Sequence, residues 1–256
     1  EQALALYKLH LADRPPVEEY YSAVIDIESY LQRTDSAQLY IAQALEHFPK
    51  KVEFHLARGN MFVRTEENDN AIRAYRESLE YAGTDSLRGV IWGMIGDVWH
   101  QKAEVAKQKD ASGKRSRQAM KETYKAYDRS LRYWKDNALV LNNYAYFLSE
   151  EGRDLERALE MSSRVMALTD NNPTYLDTHA WVLYKLGRYA EAKKIIQQAV
   201  AFDRQESPEL LVHYGDILDA LGERFSAEIY WRKALEKGYD GAAIARRLEG
   251  TQPAEK

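Results

Sequence analysis

The stretch from residue 138 to residue 206 repeats itself. In its second half, His179-Ala180, Leu183, Gly187, Ala192, Ile196 and Ala199 stand at fixed offsets from Pro173. In its first half, Tyr144-Ala145, Leu148, Gly152, Ala158, Ser162 and Val165 stand at the same offsets from Ala138, with one extra residue after Gly152. The period is about 34 residues, in the range at which a chain folds as an array of units, each packed only on its neighbours. The apolar spacing inside each unit is helical. Two helices joined by a short turn leave one apolar face bare, and the next pair covers it. Alanine or glycine where two helices cross (Gly59, Gly96, Ala145, Ala180, Gly215) permits close backbone approach, and large residues opposite fill the gaps. An array of this kind overrides the one or two globular domains that length alone would suggest.

The register extends in both directions. Residues 18–51 carry Val24-Ile25, Ala37, Ile41, Ala44 and Pro49 but no glycine between helices. Arg33-Thr34-Asp35 is the turn expected there, with Thr34 or Asp35 as the N-cap. Residues 52–85 carry Gly59, Phe62, Ala71, Tyr75 and Ser78, with a turn over 66–69. Residues 208–241 carry Tyr214-Gly215, Leu218, Gly222, Ala227, Trp231 and Ala234. A capping helix is expected over 242–249, and a polar, irregular tail over 251–256. Residues 1–17 match only the second helix of a unit, with Ala3, Tyr7, His10 and the closing Pro15. A chain that opens inside a unit leads us to expect further repeats upstream.

The unit 89–137 departs from the pattern. Ile95-Gly96 and Trp99 mark its first helix, and Thr123, Tyr127 and Ser130 its second. The halves stand roughly 15 residues further apart than the repeat period allows. The surplus consists of a helical extension over 101–109 and a turn at Asp110-Ala111-Ser112-Gly113. It predicts an antiparallel helical arm.

Together these positions resemble the tetratricopeptide repeat (TPR) family across nearly the whole chain. The resemblance implies an all-α fold, a right-handed α-solenoid of stacked antiparallel helix pairs running over 1–250. It also implies a groove lined by offsets two, five, six, nine, twelve and thirteen of each unit. Carried onto this chain, the groove residues are Asp97, His100, Asn142, Asn143, Tyr146, Asp177, Trp181, Tyr184 and Asp216. Asparagine amides can both donate to and accept from an extended peptide backbone. Tyrosine and tryptophan supply contact area at low entropic cost. The family's Lys/Asn/Asn/Lys/Arg clamp for a terminal carboxylate is not carried here: Asn142 and Asn143 are adjacent, and the matching cations are missing. The wording of residues 141–146 and 176–187 resembles bacterial members, many of them secreted or lipid-anchored. That implies a periplasmic or cell-envelope location, with the cytoplasm as the alternative.

Charge is uneven. The chain carries a formal net charge of -4. Residues 102–135 hold eleven Lys/Arg against four Asp/Glu, a surplus of seven positive charges, so the remainder stands at -11. Lys107, Lys109, Lys114, Arg115, Arg117 and Lys121 cluster toward the end of the expected arm. Such a patch can steer an acidic partner or a lipid head group. Nucleic acid is the poorest fit, since no stacking platform or base-reading motif accompanies the charge. With no cysteine, the chain has neither a disulfide framework nor a thiolate site. The six histidines are scattered without metal-ligand spacing. No G-x-S-x-G, P-loop or G-x-G-x-x-G sequence is present. No apolar run reaches the length of a membrane helix. The sequence therefore predicts a non-catalytic interaction scaffold, without metal or cofactor, that takes a peptide or helix of a partner protein in its groove. The alternative is an assembly subunit acting through self-association as a homo-oligomer or through the basic arm.

Overall fold

A computed structural model describes residues 2–204 and 207–249. All regular secondary structure among the described residues is helical. The chain divides into two compact units, 1–137 and 138–256. The first contains α1 (Gln2–Asp13), α2 (Glu18–Tyr30), α3 (Thr34–His47), α4 (Val52–Arg64), α5 (Asn68–Ser78), the 3₁₀ turn Leu79–Tyr81, α6 (Asp85–Lys109) and α7 (Lys114–Tyr133). The second contains α8 (Ala138–Glu150), α9 (Leu155–Leu168), α10 (Pro173–Lys185), α11 (Tyr189–Phe202), α12 (Pro208–Ala220), α13 (Arg224–Glu236) and α14 (Gly241–Glu249). Each unit is a solenoid of helix pairs in which consecutive pairs stack. The polar tail expected over 251–256 lies outside the described residues.

Proline opens α10 and α12, where its fixed φ suits a first helical turn and its missing N–H costs nothing. The Asn172 side chain caps α10 by accepting from the amide of Thr174 at 2.9 Å. The turns inside the pairs share one device, a left-handed residue one to three positions before the second helix. Gly152, Gly187 and Gly222 supply it in unit 2, with φ of 61, 75 and 77°. In unit 1 the left-handed residues are Gln32 and Glu66, with φ of 57 and 60°, and Gly113 between α6 and α7, with φ of 64°. The turn between α2 and α3 therefore lies ahead of Arg33-Thr34-Asp35. Thr34 is already helical, and its expected capping role is not taken up: Arg33 occupies the cap position, and its side chain does not cap the helix. The left-handed Gln32 brings the Arg33 amide onto the Glu28 carbonyl at 2.9 Å, which closes the turn early. The pair α6–α7 also starts earlier than its repeat signature, at Asp85, because the Thr84 hydroxyl caps it by accepting from the Leu87 amide at 3.1 Å.

Three pairs interlock through a glycine. A Cβ at Gly59 would overlap the Tyr75 ring, one at Gly96 the Tyr127 ring, and one at Gly215 the Trp231 indole. Tyr127 and Trp231 are almost wholly buried, at 0 and 1% exposure. The aromatic of the second helix thus lies flat on the backbone of the first, a close approach that only glycine leaves room for.

Candidate functional site

The residue following each interlocking glycine is tied to that aromatic. The Tyr75 hydroxyl donates to Asn60 Oδ1 at 2.6 Å, the Tyr127 hydroxyl to Asp97 Oδ1 at 2.5 Å, and Trp231 Nε1 to Asp216 Oδ1 at 2.9 Å. Arg247 adds a two-pronged pair to Asp216, with 2.7 Å to each oxygen. Asp97 and Asp216, both expected in a groove, therefore already hold the helix pairs together. His100, one turn beyond Asp97, is partly buried, and burial pushes its imidazole below the usual histidine range. Asp97 and His100 belong to unit 1, and the other seven expected groove residues to unit 2.

The middle pairs of unit 2 are built differently. Ala145 and Ala180 replace the glycines, and buried Ser162 and Ile196 stand where the large aromatics would be. The aromatics have moved to the first helix, to the positions just after the alanines, as Tyr146 and Trp181. Trp181 is 6% exposed and covered on both sides. Its ring stacks on Tyr184, with centroids 4.7 Å apart at 11°, and on His213, at 3.9 Å and 15°. Trp181 Nε1 donates to Glu150 Oε1 at 2.7 Å, and Lys185 Nζ stands 3.4 Å from the same carboxylate. His213 Nδ1 donates to Asp177, at 2.9 and 3.1 Å from its two oxygens. Burial works against the charged imidazole, but the carboxylates of Asp177, Asp216 and Glu150 outweigh it and raise the His213 pKa. Tyr146 remains partly open. Burial first, and then Glu150 and Asp177, push its hydroxyl well above the usual phenol range.

These side chains form part of the wall of a recess of about 750 Å³ within unit 2. Asn142, Asn143 and Tyr146 line it from α8, Asp177 from α10, and Glu209 and His213 from α12. Asn142 donates from its amide to Asn143 Oδ1 at 3.4 Å. The recess thus gathers Asn142, Asn143, Tyr146 and Asp177 of the expected groove. Trp181 and Tyr184 support it from behind His213.

The arm exists as two long helices, α6 and α7. Asp110 closes its tip by accepting from the Ser112 hydroxyl and from the amides of Arg115 and Ser112, which holds its carboxyl below the usual range. At its base the cations are engaged: Lys102 pairs with Asp69 and lies 4.4 Å from the Trp99 ring, and Arg129 lies 4.5 Å from the Trp92 ring. Toward the tip, Lys107, Lys109, Lys114, Arg115, Arg117 and Lys121 are all exposed.

Comparison with known proteins fits this construction. The tetratricopeptide repeat family matches over residues 26–86 and again over 174–206. Tetratricopeptide repeats are therefore shown over these two stretches. A TPR repeat-containing protein of Pseudomonas aeruginosa is 27% identical over 159 residues, which are 60% of this chain and 26% of the relative. The chain therefore spans about a quarter of that relative's length. Among solved structures, the Cut9–Hcn1 hetero-tetramer of the APC/C aligns over 99% of this chain and 46% of its own, with a TM-score of 0.74 at 13% identity. PilW, described as a type IV pilus biogenesis factor, aligns over 92% of this chain and 98% of its own, with a TM-score of 0.65 at 16% identity. YrrB, described as a TPR protein with an unusual peptide-binding site, aligns over 82% of this chain and 97% of its own, with a TM-score of 0.57 at 16% identity. These likenesses are of fold. The TPR fold is generally a protein-interaction scaffold.

The TPR register also reaches the residues that were missed. Counted from Pro208, His213 is sixth and Glu209 second; counted from Ala138, Glu150 is thirteenth. All three fall on expected groove offsets. The bond to Asp177 satisfies one nitrogen of His213, which also lines the recess.

Proposed function

We propose that this protein is a non-catalytic scaffold whose unit 2 recess takes a peptide or helical segment of a partner protein. The observation that carries the reading is the recess itself. It is of the size that takes a few side chains, and its wall is held in place before any ligand arrives by the Asp177–His213 bond and the Trp181 stack. A wall ordered in advance lowers the entropic cost of binding. The paired amides of Asn142 and Asn143 suit a peptide backbone, and the open side of Tyr146 suits a side chain. The peptide-binding site in the description of YrrB is a precedent on the same fold.

The test is selection of a displayed peptide library on the purified protein, followed by fluorescence anisotropy with the selected peptides. Replacing Tyr146 or Asn143 with alanine weakens binding by about tenfold, in line with loss of one central contact. Unchanged affinity in both variants, with unchanged helicity, removes the groove assignment. The basic tip of the arm favours a second reading, assembly with another copy or an acidic partner. Light scattering across concentration decides self-association: a strict monomer at high concentration counts against it.

A further inference from the structure

Carboxylates predominate on the wall of the recess, one of them bonded to His213. Asp177, Asp203 and Glu209 contribute carboxylates to its wall, and among its described lining residues the one Lys or Arg is Arg204. Asp203 spends one oxygen on the Ser207 amide at 2.6 Å, and Glu209 is exposed and accepts from the Ser207 hydroxyl at 3.1 Å. Behind the wall, Lys185 is held against Glu150 and Trp181, and Arg247 is held by Asp216. Neither cation is among the lining residues. The field at the Tyr146 hydroxyl is correspondingly negative: after burial, the groups that act on it include Glu150, Asp177 and Glu209. A carboxylate or phosphate placed there would meet like charge at short range. A guanidinium or ammonium would meet carboxylates and the side of a tyrosine ring, a combination that attracts cations.

Resting on the peptide-groove reading above, we propose that the segment taken by unit 2 is cationic, with an arginine or lysine seated against Tyr146 between Asp177 and Glu209. The amides of Asn142 and Asn143 hold the backbone beside it, and the carboxylates select the side chain. Selectivity of this kind comes from charge complementarity, which steers the encounter and penalises the wrong sign.

The experiment uses the whole chain and a positional-scanning library of fluorescent nonapeptides, each pool fixed at its central residue as Arg, Lys, Gln or Glu. In about 50 mM salt the Arg and Lys pools are retained about tenfold better than the Gln and Glu pools, and the preference shrinks at about 300 mM salt. Glu209→Gln lowers the preference about threefold. Because Glu209 is exposed, this variant keeps the wild-type helicity and melting temperature. Asp177→Asn is the second variant, read alongside its melting curve because it also loosens His213. Three results overturn the proposal. If Gln or Glu pools are retained as well as the cationic ones, and Tyr146→Ala abolishes that retention, the charge inference falls and the groove reading stands. If no pool is retained above a Tyr146→Arg control, both fall. If cationic pools bind but ignore both Tyr146→Ala and Glu209→Gln, they are held elsewhere on the surface and the assignment to this recess is wrong.

Discussion

Two pairs of unit 1 and two pairs of unit 2 build the same helix hairpin with different chemistry. In unit 1 the pairs α4–α5 and α6–α7 each lay a tyrosine on a glycine, and the next residue, Asn60 or Asp97, receives the tyrosine hydroxyl. In unit 2 the pairs α8–α9 and α10–α11 use alanine at that crossing and small or aliphatic residues opposite, so the aromatics stand on the first helix as Tyr146 and Trp181. One arrangement spends its aromatics on holding the pair together. The other turns them outward, where they line or support a recess. The turns differ too. Unit 2 has a left-handed glycine in each turn inside a pair, joined in α8–α9 by left-handed Asp154, whereas in unit 1 α6–α7 has Gly113 but α2–α3 and α4–α5 force Gln32 and Glu66 into that conformation.

The largest expected effect tests the interlock. Tyr127→Ala in unit 1 removes a fully buried ring and leaves the Gly96 backbone facing a cavity, at a cost of about 3–5 kcal/mol. Ile196→Ala in unit 2 removes fewer contacts and costs about 2–4 kcal/mol. Denaturant midpoints followed by circular dichroism measure both. Equal losses would break the distinction between the two kinds of pair. A sharper version is Gly96→Ala, whose added methyl overlaps the Tyr127 ring and destabilises by about 1–3 kcal/mol. The same change at an open helical site would stabilise, since alanine is the better helix former.

The turns give a smaller effect of predictable sign. Gln32→Gly and Glu66→Gly each relieve a left-handed non-glycine residue and raise stability by about 1 kcal/mol. Gly187→Ala and Gly222→Ala impose that strain on unit 2 and lower stability by about 1 kcal/mol, although nothing lies near enough for the methyl to touch. If the glycine substitutions in unit 1 do not stabilise, the left-handed geometry there is held by something other than helix packing.

Much of this was legible in the sequence, because offsets encode packing. The helix pairs, the extended arm and its turn at 110–113 follow from where small, large and turn residues recur. Two things were hidden. The position of the α2–α3 turn carried no glycine to mark it; the tight closure of Arg33 onto Glu28 fixes it instead, and side-chain type does not record that. The role of the residue after each crossing was hidden too, because it depends on a partner far along the chain. Asp97 and Asp177 look alike in register. Asp97 is tied to Tyr127, thirty residues downstream, while Asp177 faces the recess with only His213 on it. An aromatic opposite a glycine is the signal that separates them, and it is readable once both positions are compared together.

The smallest effect concerns the pair that joins scaffold to recess. His213 is raised in pKa because Asp177 on α10, Asp216 on its own helix and Glu150 on α8 all face it with negative charge, against the opposing cost of burial. A histidine raised in the folded state contributes stability that is fully present below the unfolded value of about 6.5 and is lost as pH rises through the folded value. The melting temperature of the wild type relative to Asp177→Asn should therefore show its largest advantage in mildly acidic buffer and a smaller one in alkaline buffer. In unit 1 burial lowers His100 instead, so the stability of the wild type relative to His100→Gln should change with the opposite sign, rising as pH rises. The two histidines also differ in what their titration does to the surface. When His213 loses its proton the Asp177 carboxylate is no longer balanced, and the recess becomes more negative. Retention of arginine-fixed peptides should then strengthen as pH rises through the His213 transition, while the fold loses a little stability. Carbon-bound proton resonances of the imidazole, followed by NMR, locate that transition. A binding curve that stays flat across it would show that Asp177 does not contact the ligand.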